Sequence, residues 1–148
     1  MYDASFSGVY TQQQKNYAVR WAAHDSSNEL KLFYSLNRAK NYDDYVKACS
    51  YLKTPGQNCI FASKKGDIAI RTAGRFPAKW NGQGDFVMPG FDSSYLWQYN
   101  IPDGETPYEH NPISGFVSSA NQRPVPYSYP YYLGTDYPSL RSYSLNQQ

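Results

Sequence analysis

The chain has 148 residues, with 14 Lys and Arg against 12 Asp and Glu, for a formal charge of +2. That length suits one domain with a modest core, and so even a balance excludes the clustered basic surplus of a nucleic-acid binder. Aromatic and charged residues stand at 18% each, and 16 tyrosines supply too much buriable area for a disordered chain.

No stretch approaches the roughly 18 apolar residues of a membrane span. The first residues lack the basic-then-apolar pattern of a signal peptide. Residues 2–8 are polar, without a cap or anchor, and read as the head of an internal fragment with Met1 as an added start. Residues 17–22, rich in β-formers, predict a strand. His24 to Asn28 reads as a loop. The segment 29–52 is helical in pattern: Leu32, Phe33 and Leu36 share one face, and Tyr42, Tyr45, Val46, Cys49 and Leu52 recur at spacings of three and four. Asn41 suits an N-cap, with Asp43 and Asp44 in the first turn. Lys53-Thr54-Pro55-Gly56 ends the helical stretch.

Residues 58–63 and 68–74 form a hairpin signature around Lys64-Lys65-Gly66-Asp67, with Gly66 suited to positive φ. Beyond Pro77 the chain becomes dense in Gly, Pro, Tyr and Asn. One short strand is expected at 115–120. No internal repeat and no low-complexity tract is present, although residues 124–130 imitate a polyproline ligand.

Few constellations carry chemistry. His24 and His110 lie in loop-like segments without a catalytic motif around them. Gly82-Gln83-Gly84 lacks the third glycine and the strand-helix context of a phosphate loop. Asp43/Asp44 and Asp103/Glu105 read as cap and turn residues rather than an acid–base pair. Cys49 and Cys59 sit among apolar neighbours, as buried free thiols or as a bridge, and no second Cys or His stands at zinc spacing. As free thiols they are expected to be raised in pKa by those neighbours and to be non-catalytic. The tyrosines either fill irregular loops or form a stacking surface for glycans or proteins.

The most informative run is residues 111–124, Asn-Pro-Ile-Ser-Gly-Phe-Val-Ser-Ser-Ala-Asn-Gln-Arg-Pro. It resembles a stretch of the penicillin acylase family, a branch of the N-terminal-nucleophile hydrolases. The hairpin of residues 60–77, with its Gly66, Gly74 and Pro77, resembles the family's hairpin. Val87-Met88-Pro89-Gly90-Phe91-Asp92 is similar to its Pro-Gly-aromatic-Asp turn, and Trp97 with Ile101-Pro102 follows in order. The likeness covers about residues 8–143.

The resemblance implies an α+β fold, part of a four-layer N-terminal-nucleophile sandwich. Residues 1–148 would be a single fragment of the catalytic β subunit, with helix and strands in 1–77 and loops over the active site in 78–148. It implies hydrolysis of linear amides by an N-terminal Ser whose own α-amino group is the base, with an oxyanion hole that includes an Asn side chain. Asn121 takes that place, and Arg141 stands at about the spacing of an Arg that orients the site. The Ser-Asn-x-aromatic head of the family is not in this sequence, since Ser5 and Ser7 have other neighbours, so the 148 residues alone are expected to be inactive. No cofactor is implied for the chemistry. Some members hold a structural calcium, but Gly84 and Leu133 stand where a Pro and an Asp are expected, so no ligand set is assigned. The implied partners are the small α subunit, the N-terminal part of the β subunit and an amide substrate, with self-association of the fragment. The implied location is periplasmic or secreted. Phenylacetyl, glutaryl and acyl-homoserine-lactone substrates are all open. The alternative is a small secreted module with a Tyr-rich recognition surface.

Overall fold

Helix formation follows the caps that the sequence offers. In the computed structural model, which describes residues 8–12, 15–134 and 140–146, the segment 29–52 forms two helices, the second starting at the expected Asn41 cap. α1 (Leu30–Leu36) buries Leu32. The chain then breaks until Asn41, whose side chain accepts from the Asp44 amide at 2.8 Å and starts α2 (Tyr42–Cys49). Asp43 and Asp44 in its first turn and Lys47 in its last complement the helix dipole. Its buried face is Tyr45, Ala48 and Cys49.

The first strands are β1 (Gly8–Gln12) and β2 (Lys15–Val19), an antiparallel pair. β2 begins before the expected strand and ends short of Trp21, because Ala22–His24 turns as a 3-10 helix. β1 falls partly in the stretch that sequence alone left without structure.

β3 (Gln57–Ala62) and β4 (Ile68–Ala73) form the anticipated hairpin, with Ile60 opposite Ile70. The turn closes through the Ser63 amide on the Asp67 carbonyl at 2.8 Å, with Gly66 at φ 95°. β5 (Tyr108–His110) completes a three-stranded sheet on the other side of β4. The strand expected at 115–120 does not form. Tyr108–His110 has taken the available edge of β4, its pairing extended by Thr72 N to Pro107 O and Asn111 N to Ile68 O. The last element is α3 (Leu140–Asn146).

The side-chain period of two assigns the faces of the sheet. Cys59, Phe61, Ala69 and Ala73 turn toward the helices and pack with Leu32, Tyr45, Cys49 and Leu52. Tyr45 is the largest buried side chain, and its hydroxyl donates to the Cys59 carbonyl at 2.7 Å. Asn58, Ile60, Ile70 and Thr72 form the opposite face. Among the described residues the outer edge of β3 has no strand partner.

The irregular half must satisfy its backbone without ladders. Buried Gln83 does much of this, accepting from Trp80 N at 3.2 Å and donating to Tyr95 O at 2.9 Å. Ile101 N bonds to Phe76 O, and Arg71 donates to Asp103 O at 2.9 Å, which ties this half to the hairpin.

Gly74 sits at a crossing that no side chain can share. A Cβ there would lie 2.9 Å from the Gly56 Cα and 2.8 Å from the Phe76 ring. Gly74→Ala is therefore expected to destabilise the fold by about 1–3 kcal/mol, the usual cost of overpacking. A urea midpoint equal to that of the parent protein would contradict the crowding.

Candidate functional site

Residues 111–123 run across the open face of the sheet, and polar side chains hold them there. Asn111 adopts φ 49° and clamps the hairpin turn. Its Oδ1 accepts from Ile68 N at 2.9 Å and its Nδ2 donates to Asp67 at 3.1 Å. Hydrogen bonds from Asn111 and Ser63 hold the Asp67 carboxyl below its ordinary value. Further along, Thr72 Oγ1 donates to Asn58 Oδ1, and Asn58 Nδ2 donates to Ser119 Oγ, each at 2.8 Å. This relay from β4 through β3 fixes the loop just before Asn121.

Asn121 itself adopts φ 65°, a left-handed conformation that Asn tolerates better than most residues. Its neighbours pin it on both sides. Ala120 is buried, and Gln122 accepts from Ala120 N and donates to Ser118 O at 3.1 Å. α3 supplies the remaining contacts. Ser118 Oγ donates to Asn146 at 2.8 Å, and the Arg141 guanidinium donates to Asn121 Oδ1. The two residues singled out in the sequence thus touch each other. Both are exposed. Residues 135–139, through which the Arg141 spacing was counted, lie outside the described residues, as do Ser5 and Ser7.

Two hollows flank this point. One of about 240 Å³ lies between the sheet face and the loop, lined by Asn58, Ile70, Thr72, Phe116, Ser118 and Gln122. The other, about 720 Å³, is a cleft walled by Trp80, Tyr127, Tyr129, Tyr131 and Tyr132 beside Gln122 and Arg123. Arg123 stacks over Tyr127 at 4.8 Å. Tyr129 donates to the Glu105 carbonyl and Tyr131 to the Glu105 carboxylate, which holds the Tyr131 phenol up to about 12. The tyrosines therefore divide, with Tyr42 and Tyr45 at the core and this group on the cleft.

The remaining candidates do not join the site. His110 stacks flat on Tyr42 at 3.6 Å, and His24 meets the Trp21 ring edge-on, both packing contacts. Gly84 and Leu133 offer no side-chain oxygen, and the neighbouring Asp85 carboxylate accepts from the Tyr132 hydroxyl. Among the described residues no three His, Cys, Asp or Glu side chains converge.

One expectation about the thiols is corrected. Both cysteines are free, and Cys49 is buried with its thiol raised by a hydrogen bond to Cys59 and by burial. Cys59 is only half-buried, and the neighbouring Cys49 thiol, as a hydrogen-bond donor, lowers its thiol against the opposing effect of burial. Apolar sequence neighbours mislead here, because a thiol across the helix–sheet interface decides the shift.

Sequence reading missed the relay through Thr72, Asn58 and Ser119, and the Asn111 clamp. The available signal was chemical: Asn111 and Asn121 are the kind of residue that can hold positive φ and still hydrogen-bond through the side chain.

The penicillin amidase family model matches residues 3–148. The chain belongs to the penicillin amidase family. Within this family it is similar to proteins named acyl-homoserine lactone acylase QuiP. That of Pseudomonas fluorescens strain Pf0-1 is 29% identical over 112 residues, covering 76% of this chain and 14% of that protein. That of Pseudomonas syringae pv. syringae strain B728a is 33% identical over 100 residues, covering 68% and 12%. That of Pseudomonas putida strain KT2440 is 27% identical over 132 residues, covering 87% and 16%. The chain thus spans between 12% and 16% of the length of these penicillin amidase relatives. Its fold is mixed α+β, and no described helix is long and apolar enough to cross a membrane.

Proposed function

We propose that this chain forms the oxyanion-hole side of an acylase that cleaves linear amides, with Asn121 as donor and Arg141 as its positioning residue. The observation that carries the reading is the Arg141 hydrogen bond to Asn121 Oδ1. With its oxygen held by a cation, the Asn121 amide presents Nδ2 as the donating end. A fixed N–H donor stabilises the oxygen that becomes negative when an amide carbonyl is attacked. The attacking Ser hydroxyl, with its α-amino group as base, would come from a part of the protein outside these 148 residues.

In this reading residues 1–148 are one fragment of an N-terminal-nucleophile sandwich, completed by a small α subunit and the N-terminal part of the β subunit. The names of the relatives favour an acyl-homoserine lactone as substrate, cut at its amide into a fatty acid and the lactone amine. Family resemblance favours a periplasmic or secreted enzyme. The open β3 edge, with Ile60, Phe116 and Leu145 exposed beside it, favours self-association when the fragment is made alone.

Arg141→Lys in the full-length enzyme tests the positioning role. Lysine keeps the charge and loses the planar fork. Losing a charge-assisted hydrogen bond of about 1.5–3 kcal/mol translates into a kcat lower by roughly 10–100-fold, with KM little changed. Normal turnover by that variant would overturn the assignment. The isolated chain is expected to release no amine from phenylacetyl, glutaryl or long-acyl amides above the buffer rate. Robust release would place a complete active site within these residues.

A further inference from the structure

The helix–sheet interface holds a pair of side chains that the proposed acylase chemistry leaves unused. Cys49 lies on the inner face of α2, and Cys59 lies on the face of β3 that turns toward it. Tyr45 precedes Cys49 by one helical turn, so the two share a helix face. The Tyr45 hydroxyl is bonded to the backbone carbonyl of Cys59 at 2.7 Å. That contact fixes the height of α2 over β3 and brings the next turn, with Cys49, against the Cys59 side chain. Cys49 belongs to the buried cluster and Cys59 packs against that same cluster.

We propose that Cys49 and Cys59 form an intramolecular disulfide when the protein meets a thiol–disulfide oxidant such as oxidised glutathione. The order of events follows from burial. Cys49 is 1% exposed and is closed to a bulky oxidant, whereas Cys59 is half-buried and reachable. Cys59 attacks one sulfur of the oxidised glutathione, forming a mixed disulfide and releasing the first glutathione thiol. Cys49 then attacks the Cys59 sulfur and expels the second glutathione thiol. Two protein thiols are oxidised, the glutathione disulfide is reduced, and the two protons leave on the glutathione sulfurs. The lowered Cys59 thiol supports this order, because the thiolate is the attacking species. The raised Cys49 thiol is its complement, a resolving sulfur kept protonated until its neighbour is activated. The product would staple α2 to β3 across the core, and it needs no strand or helix to change place.

The test uses the purified chain, reduced and then equilibrated in an oxidised glutathione buffer. The expected product is a single chain with no covalent cross-link to another, its intact mass lower by two hydrogens and neither thiol open to iodoacetamide after unfolding. Cys49→Ser should stop at a single glutathione adduct on Cys59, and Cys59→Ser should leave Cys49 unmodified. A parent protein that keeps both thiols, carries a lasting glutathione adduct or forms a disulfide-linked dimer overturns the proposal. The parent result stands without either variant, so a variant that fails to fold does not spare the idea. The chemistry is independent of the amidase reading, and loss of acylase activity in a variant has no bearing on it.

Discussion

Asn121→Ala in the full-length enzyme is expected to lower kcat by roughly 10²–10³-fold, the usual cost of removing one oxyanion-hole donor. The magnitude follows from where the charge sits. A neutral amide carbonyl gains little from one extra donor, while a tetrahedral oxyanion gains several times more in a site that excludes water. The loss should therefore appear in kcat and in kcat/KM equally, with substrate affinity held. Stability should change little, because Asn121 is exposed and leaves the left-handed position at φ 65° that Ala can adopt at modest cost. Steady-state kinetics on the matured variant, beside a thermal melt, separate the two effects. An unchanged kcat would remove Asn121 from the mechanism. A large fall in melting temperature with normal kcat would make it a structural turn residue.

Tyr45→Ala is expected to have the largest effect on stability, about 3–5 kcal/mol, in line with truncating a large buried aromatic side chain. Tyr45 is 2% exposed and touches both layers of the core. It packs on Tyr42 and Phe61, and its hydroxyl satisfies the Cys59 carbonyl. Tyr45→Phe isolates the hydroxyl. That variant should cost only about 0.5–1.5 kcal/mol, the net worth of one hydrogen bond. Urea unfolding of the parent protein and both variants checks the order. A loss for Tyr45→Ala no greater than that for Tyr45→Phe would show that the ring is not the centre of the core.

Local pattern was enough for the first half of the chain. The Asn41 cap, the spacing of Tyr45, Ala48 and Cys49, and the Gly66 turn each carry their instructions within a few residues, and the structure follows them. The break between α1 and α2 was marked as well. Residues 37–41 are Asn-Arg-Ala-Lys-Asn, polar but for Ala39, and a cap at Asn41 can start a helix only if the previous one has stopped. The strand expected at 115–120 did not form. Phe116 and Val117 have the right composition, but their loop lies over the face of the sheet, tied there by bonds such as Asn58 to Ser119, while Tyr108–His110 pairs along β4. Composition cannot report which of two segments will pair with a strand.

The site divides in the same way. Asn121 and Arg141 were singled out because their residue types and order resemble a family pattern. Their contact was not legible, since it depends on how α3 approaches the loop, and nothing in the intervening chain encodes that direction locally. The relay of Thr72, Asn58 and Ser119 joins residues far apart in sequence, and polar groups of this kind look like ordinary surface until the sheet face is built. By itself, then, the sequence determined the family, the helix caps, the hairpin and the identity of the chemical groups, all set by neighbours along the chain or by a retained motif. Only the tertiary structure decided which edge β5 would fill, that Cys49 would face Cys59, and that Arg141 would hold Asn121. Those outcomes depend on distances through space, which packing and hydrogen-bond satisfaction settle only when the elements come together.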